Sequence, residues 1–190
     1  KNTSHINRVL VHIESVLEKY NGEDPLFLSE RLMSLLIEAK HGDPDKYSML
    51  AEKCAIDAET KNNFHRARAY WQVKAQWHKI QNSGDKEREA LLNNAEAYVK
   101  EAEFKRDNNG KGSFLVASHF LQRAIEAYRR LGNTNEIVDA IHKKLLDYEE
   151  KSINEMQRFS TEFDVSESVR NTINNVSGKD LYDALFALSL

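Results

Sequence analysis

The sequence predicts an all-α protein of stacked antiparallel helical hairpins, similar to an α-solenoid of tetratricopeptide-like repeats. The seven glycines and two prolines fall where helices can end or begin, and the stretches between them are rich in Ala, Leu, Glu and Lys. Apolar residues recur at the three-to-four-residue spacing of a buried helical face. Breaks at Gly42, Gly84 and Gly132 are separated by roughly the length of one helical hairpin.

The first three helices are each predicted from one apolar stripe. The second is expected to begin at Asp24-Pro25 and the third at Asp43-Pro44, because proline fits a first helical turn, where no backbone N–H is needed. The three stripes in chain order are Ile6, Leu10, Ile13, Leu17 and Tyr20; Leu28, Leu32, Leu35 and Ala39; and Tyr47, Leu50, Cys54 and Ala58.

The fourth helix carries two apolar stripes, which predicts an inner position with neighbours on two sides. The sixth is expected to begin near Ser113, a good N-cap residue, and the seventh at Asn133, which forms a capping-box pattern with Glu136. The two stripes of the fourth helix are Phe64, Ala67, Tyr70, Val73, Trp77 and Ile80, and Ala67, Trp71 and Ala75. The stripes of the fifth, sixth and seventh helices are, in that order, Leu91, Ala95, Tyr98 and Ala102; Ala117, Leu121, Ala124, Tyr128 and Leu131; and Val138, Ile141, Leu145 and Tyr148.

Two shorter helices complete the prediction of eight or nine. They cover Val165 to Val176 and Leu181 to Leu188. Because the chain stops inside an apolar run, we expect a piece of a longer protein. The predicted organisation is one helical domain over 1–190, with an N-terminal pair (1–42), core hairpins (43–160) and short helices (161–190) that lead to a downstream domain. A compact helical bundle would have the same composition.

Composition and charge narrow the classes of function. The 190 residues carry 27 Lys and Arg against 30 Asp and Glu, so no overall basic field attracts nucleic acid or an anionic membrane. No apolar run is long enough for a membrane span, and no signal peptide is evident. The single cysteine, Cys54, cannot form an internal disulfide, so we expect a reducing, cytoplasmic setting.

Several strings in residues 40–190 resemble a known family. They are RARAYWQVKAQWH (66–78), NAEAYVKEAE (94–103), ASHFLQRAIEAYRRLG (117–132), LLDYEEKSINEM (145–156) and DLYDALFAL (180–188). Together they are similar to the helical N-terminal region of bacterial proteins that carry the domain of unknown function numbered 4209. The resemblance implies a repeat-like helical segment ahead of a second domain, with no established activity for the segment itself.

The second domain of that family is similar to nucleotide-binding helical ribonucleases, whose Arg-Asn pair is followed closely by His. Here Arg170-Asn171 is followed by no histidine, and no catalytic residue is carried over.

The sequence gives little support for a metal site or a reactive thiol. Glu38 with His41, and Asp139 with His142, have the spacing that di-iron bundles use. One pair has Asp in place of Glu, and a histidine near a helix C-terminus is favoured by the helix dipole without any metal. We therefore expect no metal or cofactor. Cys54 falls in mid-helix on an apolar stripe, which indicates a buried structural thiol rather than a nucleophile.

The fourth helix holds the candidate partner-binding residues, Arg66, Arg68, Trp71, Lys74 and Trp77. Cations beside aromatic rings can bind nucleic acid, but acidic residues nearby offset these charges, so we do not expect nucleic acid to bind this fragment. The two tryptophans lie about 240° apart around the helix axis. If one of them is exposed in a groove, it is the first candidate for a partner anchor.

The sequence therefore predicts a non-enzymatic scaffold that binds another protein or the C-terminal domain of its own chain. The alternative is a regulatory or sensing module of a bacterial, ribonuclease-like protein whose catalytic part lies elsewhere, and it rests on the family resemblance. An enzyme within these helices would need polar side chains that converge in a pocket, which the sequence neither shows nor excludes.

Overall fold

The computed structural model describes residues 2–19, 28–108, 110 and 112–162, and every regular element in these ranges is an α-helix. The predicted all-α class is confirmed. The helices are α1 (Asn2–Glu18), α2 (Leu28–Glu38), α3 (Pro44–Thr60), α4 (Phe64–Ile80), α5 (Gly84–Asn108), α6 (Ser113–Leu131) and α7 (Asn135–Glu162).

These seven described helices correspond to the first seven that the sequence predicts. Three expectations lie outside the described residues: the start at Asp24-Pro25, Tyr20, and the two short helices after residue 162. The chain divides into two compact units, Lys1–Ala97 and Tyr98–Leu190, and the division falls within α5.

In the first unit, α3 and α4 form an antiparallel hairpin. Asp43 caps α3, since its side chain accepts from the backbone N of Asp45 and Lys46, and Pro44 occupies the first turn as predicted. Contacts then pair residues from opposite ends of the two helices. These are Trp71 with Glu59, Lys74 with Glu52, Trp77 with Tyr47, and Gln81 with Asp45.

The hydrophobic core of this unit centres on α4. Nine of its 17 residues are buried, and they include both predicted stripes except Ile80. Helices α3 and α2 pack against α4, and α1 packs against α2. The predicted inner position of this helix follows from these neighbours on more than one side.

The buried face of α2 differs from the prediction. The stripe Leu28, Leu32, Leu35 and Ala39 was expected to face the core, but Leu28 and Leu35 are exposed, and the buried positions are Ser29, Met33 and Leu36. Apolar residues follow one another so closely in this helix that two overlapping stripes satisfy helical periodicity. Tertiary contact selects one of them, in which the Ser29 hydroxyl lies 2.7 Å from the Tyr70 hydroxyl.

Asparagine in the left-handed conformation follows the ends of α3 and α4, while the predicted Gly132 is the C-cap of α6. Asn62, Asn82 and Asn133 all have positive φ, of 56°, 55° and 48°. Asparagine tolerates this left-handed conformation better than most residues do. Gly84 consequently begins α5 instead of closing α4. Helix α7 begins at Asn135, so Thr134 rather than Asn133 directly precedes it, and the predicted capping box of Asn133 with Glu136 is wrong by one residue.

The start of α6 also moves by one residue. Gly112, with φ of 81°, is the N-cap and makes no side-chain cap bond, while the expected cap, Ser113, is the first helical residue. In the second unit α6 packs against α7 as another antiparallel hairpin. Phe114, near the start of α6, contacts Tyr148 far along α7, while Thr134 just before α7 donates to the Tyr128 carbonyl near the end of α6.

Candidate functional site

The two tryptophans predicted as partner anchors lie in the core. Trp71 is 5% exposed and Trp77 is 1% exposed. The Trp77 ring stacks on the Tyr47 ring, with centroids 5.5 Å apart and an interplanar angle of 26°. Because both stripes of α4 are covered, positions far apart around its axis are buried together. Neither indole can therefore serve as the predicted surface anchor.

Lys74 is also buried, and it joins α4 to α3. Its Nζ lies 3.1 Å from Glu52 Oε2 and 5.4 Å from the centre of the Trp71 ring. The Trp71 Nε1 donates to Glu59 Oε1 at 2.8 Å. A cation taken out of water needs a partner of this kind, so the ammonium group is part of the helix-to-helix packing.

Arg66 and Arg68 occupy half-buried positions in the first turns of α4. The Arg66 backbone N donates to the side chain of Asn63, which caps the helix, and the Arg68 carbonyl accepts from Asn94 Nδ2 at 2.7 Å. Residues two apart on a helix point in different directions. With Lys74 buried against α3, the predicted set of cations does not converge on one open face.

A polar cluster that the sequence did not predict joins α1, the α2–α3 turn and α3. We call it the Glu14 corner, and it comprises Glu14, His41 and Tyr47. One carboxylate oxygen of Glu14 lies 3.1 Å from His41 Nε2, and the other accepts from the Tyr47 hydroxyl at 3.2 Å. Next to it, Lys46 Nζ pairs with Glu18 Oε1 at 2.6 Å. These contacts fix the C-terminal half of α1 against the start of α3.

The Glu14 corner depends on a glycine. Gly42 has φ of 99°, and a Cβ added there would lie 2.7 Å from the Tyr47 ring and 3.3 Å from Glu14 Oε1. Burial and the nearby Glu14 carboxylate raise the pKa of the Tyr47 hydroxyl, since both disfavour a phenolate. Tyr47 is therefore held as a neutral hydrogen-bond donor, which suits a structural role.

The second unit contains its own cross-helix bonds. Arg106 at the end of α5 donates to the Tyr148 hydroxyl at 2.7 Å, and Lys144 on α7 pairs with Glu103 on α5. Burial, with a smaller contribution from Arg123, lowers the pKa of His119 on α6. The bonds of Arg106 and Lys144 hold α7 against the C-terminal part of α5.

Within the described ranges, no group of three or more His, Cys, Asp and Glu side chains is placed to hold a metal ion. His41 is engaged by Glu14 on another helix rather than by Glu38. Asp139 and His142 are both exposed. Cys54 is buried in the core, as predicted.

None of the described helices combines the length and the apolar character that a membrane span needs.

Helix α1 carries a row of exposed apolar side chains. Ile6, Val9 and Val16 are 54%, 45% and 38% exposed, whereas Leu10, Ile13 and Leu17 are buried. The predicted stripe of α1 placed Ile6 with the buried residues, but it lies near the N-terminal end of the helix, where it is exposed. Val9 and Val16 were missed, although their spacing from Ile6 and Ile13 is itself an alternation of three and four.

No family model, curated protein or solved structure matches the chain. The resemblance to the family with the domain numbered 4209 therefore stays a prediction.

Proposed function

We propose that this chain is a non-enzymatic helical interaction module, which binds either a protein partner or a further domain of its own chain. The observation that carries the proposal is the exposed apolar row on α1. Ile6, Val9 and Val16 follow one another along a single side of the helix, next to a stripe that is already buried. Exposed apolar residues that form a continuous surface are typical of interaction sites.

The polar groups of the candidate sites that the sequence predicts also support this proposal. Lys74 and Trp71 pair with carboxylates on α3, and His41 pairs with Glu14 on α1. Each of these groups links two elements of the first unit, as expected of a scaffold whose polar groups hold helices in register. A cytoplasmic location belongs to the proposal, because a chain with one cysteine cannot form an internal disulfide and fits a reducing compartment.

Site-specific photo-crosslinking in the cells that produce the protein tests the proposal. A benzophenone amino acid at Val9 or Val16 should give a discrete protein adduct, because a partner would cover these side chains. The matched control is the same amino acid at Gln72, an exposed position on α4 that is outside the apolar row. Equal adducts from all three positions, or none from any, would contradict an interaction through α1.

The alternative, a regulatory or sensing module of a nucleic-acid-acting protein, has the family resemblance as its support. Crosslinks from Val9 or Val16 to RNA or DNA, in place of protein, would favour it.

A further inference from the structure

The exposed row on α1 has the spacing of a coiled-coil seam. Ile6, Val9, Ile13 and Val16 alternate in steps of three and four residues, which is the a/d pattern of a heptad repeat. We call these four residues the α1 seam. Ile13 is 8% exposed, whereas the other three are between 38% and 54% exposed. The seam thus shares one residue with the core and presents the rest to the surface.

A neighbouring row already attaches α1 to its own unit. Leu10 and Leu17 are buried in the same core cluster as Met33 and Leu36 of α2. In the heptad that the seam defines, Leu10 and Leu17 occupy the e positions. The seam is consequently a second face of the helix, and binding a partner there would leave the contacts of Leu10 and Leu17 intact.

The charges on α1 are divided between two sides. His5 and His12 are exposed at g positions beside the seam, Arg8 is exposed on the same side, and Lys19 continues the seven-residue spacing in the turn directly after α1. We call them the basic edge. The only acidic residues of α1, Glu14 and Glu18, are held by His41 and Tyr47 and by Lys46. The seam is therefore bordered on this side by basic residue types, and the acidic side chains of α1 lie on the other side.

We propose that the α1 seam binds an amphipathic helix of a partner whose flanking positions are acidic. This inference rests on the proposed function and specifies the partner. Apolar residues of the incoming helix would pack against the exposed seam residues Ile6, Val9 and Val16, and its Asp and Glu side chains would meet the basic edge. In coiled coils, charges at e and g positions select the partner in this way.

A second copy of this chain fits the seam less well. In an antiparallel pair of α1 helices, the two basic edges would face each other, and like charges across a helical interface are unfavourable. In a parallel pair, each g position faces an e position of the other helix. Those e positions are Leu10 and Leu17, which are buried in their own core. Neither orientation supplies acidic groups to the basic edge.

The test is a selection from a phage-displayed library of amphipathic helical peptides with a fixed Leu stripe and randomised flanking positions. The enriched peptides should carry Asp and Glu at the flanks. Their affinity, measured with synthetic peptide by fluorescence anisotropy, should fall as salt screens the charges. The double variant Val9→Ser/Val16→Ser should bind at least about tenfold more weakly, because two apolar contacts are removed.

Two further variants make the test specific. His5→Glu/His12→Glu/Lys19→Glu should reverse the preference, so that the same library yields basic peptides. The matched control is Met49→Ser/Ile56→Ser, which removes two exposed apolar side chains from α3 and should leave the affinity unchanged. Circular dichroism of each variant confirms that the helices are retained.

The outcomes separate this inference from the proposed function. Enriched peptides that are neutral or basic, or that bind the Val9→Ser/Val16→Ser variant equally well, would overturn an acidic partner helix at the seam. So would binding to phosphatidylserine vesicles without peptide binding, or self-association that Val9→Ser/Val16→Ser abolishes. If no peptide is enriched, the inference fails, and a protein adduct from Val9 in the crosslinking experiment would still support the interaction module.

Discussion

Helices α1 and α4 both carry two neighbouring apolar rows, yet both rows are covered only in α4. Helix α4 has α3 and α2 packed against it, and its tryptophans, Trp71 and Trp77, are buried on different sides. In α1, Leu10 and Leu17 are buried while Val9 and Val16 are exposed. Two apolar rows on a helix therefore indicate two packing faces, but they do not show whether the second neighbour belongs to the same folded unit.

The largest expected loss of stability is for a substitution in the covered helix, α4. Trp77→Ala should lower the free energy of unfolding by about 3 to 5 kcal/mol, because it leaves a large cavity against the Tyr47 ring. Urea denaturation followed by circular dichroism measures the loss. Ile80→Ala, at the exposed end of the same stripe, is the matched control and should cost about 1 kcal/mol or less. Similar losses in both variants would show that α4 is not covered as described.

The second largest loss of stability is expected for Gly42, which lies beside the Glu14 corner. Gly42→Ala should destabilise the protein by about 1 to 3 kcal/mol, since an L side chain is strained at φ of 99° and its Cβ would press on the Tyr47 ring. Gly84→Ala is the control, because nothing lies within 4 Å of a Cβ at that position. It should change the stability by less than about 1 kcal/mol in either direction. A neutral Gly42→Ala would mean that Tyr47 and Glu14 move apart at little cost.

Alkaline pH should weaken the same corner. The pKa of Tyr47 is raised in the folded protein, so the folded state holds its proton more tightly than the unfolded chain does. This stabilisation is complete below the ordinary tyrosine pKa of about 10 and is lost as the pH rises toward the raised value. One proton contributes a slope of up to about 1.4 kcal/mol per pH unit.

Urea denaturation of Tyr47→Phe between pH 9 and 11.5 isolates that contribution. The variant should be less stable near neutral pH, because it loses the bond to Glu14, and its stability should fall less steeply above pH 10. Parallel slopes for the two proteins would contradict a neutral, buried Tyr47.

A smaller effect is expected at the buried cation of α4. Lys74→Met keeps the apolar stem and should change the stability by about 1 kcal/mol or less, because its partner Glu52 is partly exposed and can be hydrated instead. Lys74→Ala also removes the stem and should cost more. Thermal denaturation compares the two variants. A Lys74→Met variant that is as unstable as Lys74→Ala would show that the ion pair itself, rather than the packing of the stem, stabilises the hairpin.

The smallest expected effect is on the α1 seam. Val9→Ser/Val16→Ser should change the free energy of unfolding by about 0.5 kcal/mol or less, since both side chains are already in contact with water. Leu10→Ser/Leu17→Ser alters the neighbouring row and should disrupt the docking of α1. If the two double variants are equally destabilised, the seam is part of the core and is not available to a partner.

Much of the helical architecture could be predicted because it depends on local signals. The Asp43-Pro44 start of α3 and the two buried stripes of α4 follow from residue types and periodicity, and all are present in the structure. The wrong predictions concern which face of a helix is buried and which residue caps it. Ser29 and Met33 are buried in place of Leu28 and Leu35, because the apolar run of α2 satisfies helical periodicity in more than one way.

The candidate site could be predicted only in part. The spacing of Ile6, Val9, Ile13 and Val16 is present in the sequence, but the stripe through Leu10 and Leu17 already gives the same helix an apolar face, so periodicity does not show which row is exposed. Trp71 and Trp77 were predicted as anchors because tryptophan is common at interfaces. Their burial depends on neighbours that are distant in the sequence, such as Tyr47.

The sequence by itself determined that the described chain is helical, and it indicated most of the points where helices begin, because capping, proline geometry and periodicity act over a few residues. Only the tertiary structure decided which apolar rows are covered. That outcome depends on where α2 and α3 lie against α4, and on the three-way contact of Glu14 with His41 and Tyr47. Burial is a property of packing between distant segments, so Val9 and Trp77 differ in exposure although both lie on apolar helical rows.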